Sequence, residues 1–212
     1  MSRILIFANG DLSDLEKVRT LIRADDFILC ADGGTCHALA LGLTPHLVIG
    51  DMDSATSHEI QQVKKADVPI ELFPRDKNET DLELAIQRAL EKHPEAILIV
   101  AALGGRLDQT LGNITLLSDA RLADVDVRLD DGVEEVFFCR TRSEVRGRSG
   151  DLVSLIPWRE KVEGVQTKNL KWSLHDEILY PEKTRGISNE MTADIAGIAI
   201  KSGLLLVVHR RQ

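Results

Sequence analysis

The residues with most to offer chemistry are acids that follow short apolar runs. One run, 27–31, ends in Asp32-Gly33-Gly34; a second, 46–49, ends in Gly50-Asp51-Met52-Asp53-Ser54. Two residues apart in an extended segment, Asp51 and Asp53 would point their carboxylates the same way. Hard oxygen ligands on one side, with water and substrate phosphate on the other, are how Mg²⁺ is commonly held. The same four residues also suit a solvated turn that caps a helix, since Asp and Ser are good N-caps. Further along, 74–81 is a polar loop containing Lys77, Thr80 and Asp81. Thr80 and Glu83 match a capping box, and Asp81 in the first turn is favoured by the helix dipole whether or not it has a chemical role. A fourth run, 96–101, leads into Leu103-Gly104-Gly105-Arg106-Leu107-Asp108. Glycines between a strand and a helix let backbone N–H groups approach phosphate, and an arginine there adds a bidentate donor. The Lys-Ser/Thr ending of a Walker loop is missing, and the spacing is not that of a dinucleotide fingerprint.

These acids must be positioned by strands. The runs at 3–8, 27–31, 46–49, 68–73 and 96–101 are short, aliphatic and closed by turn residues, as buried parallel strands are. Between them, apolar residues recur at helical spacing: Leu12, Leu15, Val18, Leu21 and Ile22; a short helix over 35–42; Ile60 and Val63; Leu82, Ala85, Ile86 and Ala89; Leu107, Leu111, Ile114 and Leu117. Alternation of strand and helix predicts an α/β domain with a mostly parallel sheet and helices on both faces. Asp32, Asp51 with Asp53, Asp81 and Asp108 then all follow strands at one edge of that sheet. The opposite edge, after the helices, carries no comparable clustering of glycine and acid. Ligands of open α/β sheets sit beyond the strands' carboxyl ends, so the pattern favours a metal–phosphate site.

From about Val125 helical periodicity disappears. Short runs recur between turn residues at 125–129, 133–139, 143–147, 151–157, 161–166, 187–190, 194–200 and 204–209, which predicts a small C-terminal all-β sandwich domain. The expected domains are therefore 1–124 and 125–212. A formal net charge of −8 over 212 residues opposes a nucleic-acid surface, which needs a basic face. The opening apolar run is too brief for a secretory signal, and no apolar stretch has the length of a membrane span. Cys30, Cys36 and Cys139 are odd in number and lack zinc or redox spacing, and Cys30 reads as a buried apolar residue. A cytoplasmic protein with no membrane partner is the expectation.

Taken in order, Ala31-Asp32-Gly33-Gly34, Pro45 through Gly50-Asp51-Met52-Asp53-Ser54, Lys77 through Thr80-Asp81-Leu82-Glu83, Gly104-Gly105-Arg106-Leu107-Asp108, Leu170-Lys171-Trp172 and Ile187-Ser188-Asn189-Glu190 make the chain resemble the thiamine pyrophosphokinases. The resemblance implies an ATP- and Mg²⁺-binding α/β domain, a β-sandwich that helps bind thiamine, and a homodimer with shared active sites. It implies transfer of the diphosphoryl group of ATP to thiamine. By that resemblance Asp51, Asp53 and Asp81 would hold Mg²⁺, and Asp32 and Asp108 would line the same site. Lys77, Thr80, Arg106 and the amides of Gly33, Gly34, Gly104 and Gly105 would hold ATP, and Trp172, Ser188 and Asn189 would meet thiamine. His46, Asn78 and Gln109 depart from the family pattern without removing an acid. A diphosphotransferase acting on another alcohol, such as a pterin, and a non-catalytic nucleotide or thiamine sensor stay open as readings, as does core packing for Trp172.

Overall fold

The computed structural model describes residues 2–12 and 14–212 and divides into two compact units, Met1–Gly132 and Val133–Gln212. The first alternates β1 (Arg3–Phe7), α1 (Leu15–Arg19), β2 (Phe27–Ala31), α2 (Gly34–Ala40), β3 (Leu47–Gly50), α3 (Ser57–Lys65), β4 (Ile70–Leu72), α4 (Asp81–Leu90), β5 (Ala96–Val100), α5 (Leu107–Leu116) and β6 (Asp126–Asp130). All six strands are parallel, in the order β6-β5-β1-β2-β3-β4. Side chains alternate across such a sheet. Leu5, Phe7, Ile28, Cys30 and Val48 pack with Val18, Ala38 and Val63 in one core cluster. Ile6, Leu29, Ile49 and Ile99 alternate with them and are equally buried, and α4 packs on β1, β2 and β3. Because β1 has β2 on one side and β5 on the other, the connections diverge there, and a crevice opens beyond the strands' carboxyl ends.

Three local expectations are corrected. The helix expected from the spacing of Leu12, Leu15, Val18, Leu21 and Ile22 is only α1, capped by the Asp14 side chain on the N–H of Lys17. The reciprocal capping box forms at Thr56 and Glu59 of α3, whereas Thr80 caps α4 from one side only, accepting from the N–H of Glu83 at 3.1 Å. The run at 125–129, read with the second domain, is β6 and pairs parallel with β5. Loss of helical periodicity there marks the end of the last helix, not the end of the parallel sheet, and the units divide after Gly132.

The second unit is all antiparallel: β7 (Glu134–Cys139), β8 (Arg142–Arg146), β9 (Leu152–Pro157), β10 (Val162–Lys168), β11 (His175–Leu179), β12 (Asn189–Glu190), β13 (Ile195–Ala199) and β14 (Leu205–Arg210). Within this unit the strands lie in two layers, ordered β12-β9-β14-β7 and β11-β10-β13-β8. Phe137, Val153 and Leu155 of the first join Val145, Val165 and Ile198 of the second in one core, a sandwich as expected. The sequence reading missed β11, whose His-Asp-Glu start hides it. In β14, His209 is fully buried, with Nε2 3.0 Å from Asp151 Oδ2 and Nδ1 3.4 Å from Glu135 Oε2. Burial alone would lower its pKa; the hydrogen bonds to the two carboxylates outweigh that, and the net shift is upward. Burial would likewise raise Asp151, but His209 and the N–H groups of Gln212 and Arg148 hold it below the usual carboxylate range. No helix among the described residues is long and apolar enough to cross a membrane.

Candidate active site

Beyond the carboxyl edge of the parallel sheet lies a cleft of about 620 Å³, within the first unit. Its walls include Asp32, Asp51, Lys77, Thr80, Asp81, Gly104, Gly105 and Arg106, so most of the residues singled out in the sequence meet there. The backbone that delivers them is contorted. Asp32, Met52 and Ala101 have φ of 45°, 62° and 56°, each just past the end of β2, β3 or β5. Such left-handed conformations are costly for residues other than glycine and persist where the surroundings impose them. At Gly50 a side chain is excluded, because a Cβ would lie 2.9 Å from that of Asp32.

Asp51 and Asp53 do not share a side by alternation along an extended strand, because Met52 turns the chain. The N–H of Asp53 instead donates to Asp51 Oδ1 at 3.1 Å. The turn still brings them together: Asp32, Asp51 and Asp53 each place a carboxylate oxygen within 4.8 Å of the others. Asp32 is 4% exposed, and its Oδ1 has no hydrogen-bond partner. A buried anionic oxygen without a partner is expensive, and a cation among these oxygens would satisfy it. The donor set is all carboxylate, which suits a hard divalent ion. Arg75 Nε, 3.4 Å from Asp53 Oδ2, supplies an exposed counter-charge.

On the adjoining wall Lys77 Nζ lies 2.9 Å from Asp81 Oδ1. This oxygen too is buried, and the ion pair with Lys77 is its contact. Lys77 is thus an ammonium in the cleft lining, paired with Asp81. Arg106, at the start of α5, is engaged by Asp108 through two hydrogen bonds of 3.1 and 2.5 Å. Asp108 raises the pKa of Arg106 and is itself held low by it. Asp108 is therefore the counter-ion of Arg106 and lies outside the cleft lining.

Gly33 and Gly34 also stand apart from it. A Cβ on Gly33 would meet Asn9 Oδ1 at 2.2 Å, and one on Gly34 would meet the Phe7 carbonyl oxygen at 2.1 Å. Their small size lets the start of α2 press against the end of β1. Sequence reading passed over Asn9 and Asp11, which line the cleft after β1. The signal was available, since β1 ends at the same sheet edge as the other acid-bearing strands.

In the second unit Trp172 is 58% exposed, which removes core packing as its explanation. Lys171 Nζ lies 5.0 Å from the centre of its ring and 2.8 Å from Glu190 Oε2. Ser188, at φ 57°, donates its N–H to Ser154 Oγ at 3.0 Å. Asn189 is buried and bonded to the backbone of Trp172.

An open parallel sheet with an acid cluster and a glycine loop at its switch point, followed in the chain by an antiparallel sandwich presenting an exposed tryptophan, defines a two-domain protein of the kind that handles polyphosphates. The chain belongs to the thiamin pyrophosphokinase family: residues 18–129 match the family's catalytic domain and residues 141–205 its vitamin B1 binding domain. It is 30% identical over 210 residues to a thiamine pyrophosphokinase of Bacillus subtilis, covering 98% of both chains. A crystal structure of thiamine pyrophosphokinase from Bacillus subtilis superposes with a TM-score of 0.90 at 26% identity, covering 100% of each chain. The yeast thiamin pyrophosphokinase structure shares the fold, with a TM-score of 0.79 at 17% identity, covering 99% of this chain and 86% of that one.

Proposed function

We propose that the protein transfers the diphosphoryl group of ATP to the hydroxyethyl oxygen of thiamine, giving thiamine diphosphate and AMP, with Mg²⁺ held by Asp32, Asp51 and Asp53 and with Asp81 beside it. The observation that carries the reading is the convergence of those three carboxylates within 4.8 Å, with Asp32 Oδ1 buried and lacking a hydrogen-bond partner, in a chain of this family. Bound there, Mg²⁺ would neutralise charge on the phosphoryl oxygens, which is most of what phosphoryl transfer asks of a protein. In the reaction the thiamine oxygen bonds to the β-phosphorus while the bond from that phosphorus to the oxygen of the AMP leaving group breaks. A carboxylate of the cleft takes the hydroxyl proton. Lys77, and Arg106 once released from Asp108, hold phosphate oxygens, as do the amides of Gly104 and Gly105; Thr80 fixes the start of α4 behind them.

Thiamine's flat cationic rings call for an aromatic face, worth roughly 0.5–2 kcal/mol, and the exposed Trp172 in the second unit provides one, with Ser188 next in the chain to Asn189, which bonds to the Trp172 backbone. The working form is a homodimer in which each chain's Trp172 serves the acid cleft of its partner. Leu107 and Leu111, 72% and 50% exposed on α5, support it, since a helix without a single buried residue is suited to cover by another surface.

The test is to incubate the pure protein with ATP, Mg²⁺ and thiamine and to identify both products. AMP and thiamine diphosphate should form one for one. ADP with thiamine monophosphate would overturn the bond assignment, and turnover of a pterin alcohol in place of thiamine would overturn the substrate. Asp51→Asn and Asp53→Asn should each cut turnover on the order of a hundredfold or more while leaving the unfolding midpoint nearly unchanged, because both side chains lie outside the core. A variant with normal turnover and an unchanged Mg²⁺ requirement would reduce its residue to a turn former.

A further inference from the structure

Trp172 sits in an exposed turn between β10 and β11, where a bare backbone would leave its large side chain poorly fixed. Asn189 supplies the missing order. Its side-chain oxygen accepts from the N–H of Trp172 at 3.0 Å and from the N–H of Glu190 at 2.9 Å, while its amide nitrogen donates to the carbonyl of Trp172 at 2.8 Å. The carboxamide thus mimics a facing strand, bonding both polar groups of one residue. The neighbouring backbone extends the match: the N–H of Lys171 donates to the carbonyl of Glu190 at 2.9 Å, and Leu170 bridges to Met191. Asn189 is only 7% exposed, so its hydrogen bonds are shielded from competing water. Three of the four hydrogen bonds a carboxamide can readily make are spent within the chain.

We propose that Asn189 is a positioning residue for the proposed reaction: it fixes the backbone of Trp172, and so the indole against which thiamine packs, instead of reading the substrate itself. The inference rests on the thiamine reading above. Ordering the platform before the substrate arrives removes an entropic cost from binding, which would appear in the affinity for thiamine and leave the phosphoryl chemistry alone.

The experiment uses full-length protein carrying Trp158→Phe, so that Trp172 is the sole indole. In this background Asn189→Ala should lower the fluorescence anisotropy of Trp172. It should also raise the KM for thiamine about tenfold, the scale set by losing hydrogen bonds to an ordered backbone, with kcat and the KM for ATP within about twofold of the parent. Asn189→Asp, which keeps the accepting oxygen and loses the donated hydrogen bond, should fall between parent and alanine variant in both readouts. It also serves if the alanine variant fails to fold. Parent-like anisotropy in the variants alongside a raised thiamine KM would make Asn189 a direct substrate contact and overturn the proposal. Lowered anisotropy with an unchanged thiamine KM would overturn it too. Should the parent itself form no thiamine diphosphate, the reaction assignment fails, and the anisotropy then tests the hold on Trp172 by itself.

Discussion

At the scale of single residues, His209 ties a charge to stability in a way the active site does not. Its pKa is raised in the fold because Glu135 and Asp151 outweigh the cost of burial and the repulsion from Arg211. A group bound more tightly by protons when folded stabilises the fold below its unfolded pKa, near 6.5, and loses that contribution as pH rises through the folded value. The urea midpoint should therefore fall as the pH is raised from about 6.5 into the alkaline range. His209→Gln should be less stable than the parent at pH 6 and should lose most of this slope. A parent midpoint independent of pH from 6 to 9 would show that folding leaves the pKa of this imidazole unchanged.

At the scale of elements, the start of α2 is set by close contact. Gly34→Ala places a methyl 2.1 Å from the Phe7 carbonyl oxygen; the expected loss is about 2 kcal/mol or more, in the range of overpacking, seen as a lowered melting temperature. Gly42→Ala meets no atom within 4 Å, but sits at φ 75°; it should cost only the left-handed strain of about 1–2 kcal/mol. The sequence made the parallel strands legible because each is a buried aliphatic run closed by a turn, and the common edge of Asp32, Asp51, Asp53 and Asp81 followed from that alternation. What stayed hidden depended on partners distant in sequence. That Asn9 and Phe7 press against Gly33 and Gly34 could not be read from the glycines themselves. The apolar stripe on α5 looks like a core face, yet Leu107 and Leu111 are exposed. Asp108 reads from the sequence as a fifth acid, and its pairing with Arg106 could not be read from the spacing. At β6 the end of helical spacing imitates a domain boundary.

At the scale of the whole molecule, the proposed homodimer makes a prediction that neither unit makes alone. Asp53→Asn disables the acid cleft, and Trp172→Ala removes the aromatic platform. Mixed under conditions that exchange subunits, the two inactive proteins should regain activity, approaching a quarter of the parent's for equal amounts: about half of the dimers are mixed, and each of these has one intact site of two. Labelled subunits that exchange without restoring activity would show that each chain carries a complete site of its own.

The left-handed backbone at Asp32 carries a consequence for the history of such a chain. Glycine would relax that conformation, and losing the carboxylate would also remove the stranded Oδ1. Asp32→Gly should therefore melt higher than the parent in the absence of ligands, by on the order of 1 kcal/mol, while being inactive. Drift toward a sturdier fold thus runs directly against this aspartate, and only selection for turnover opposes it. A descendant freed from that selection has an easy first step, one that improves the scaffold as it extinguishes the chemistry.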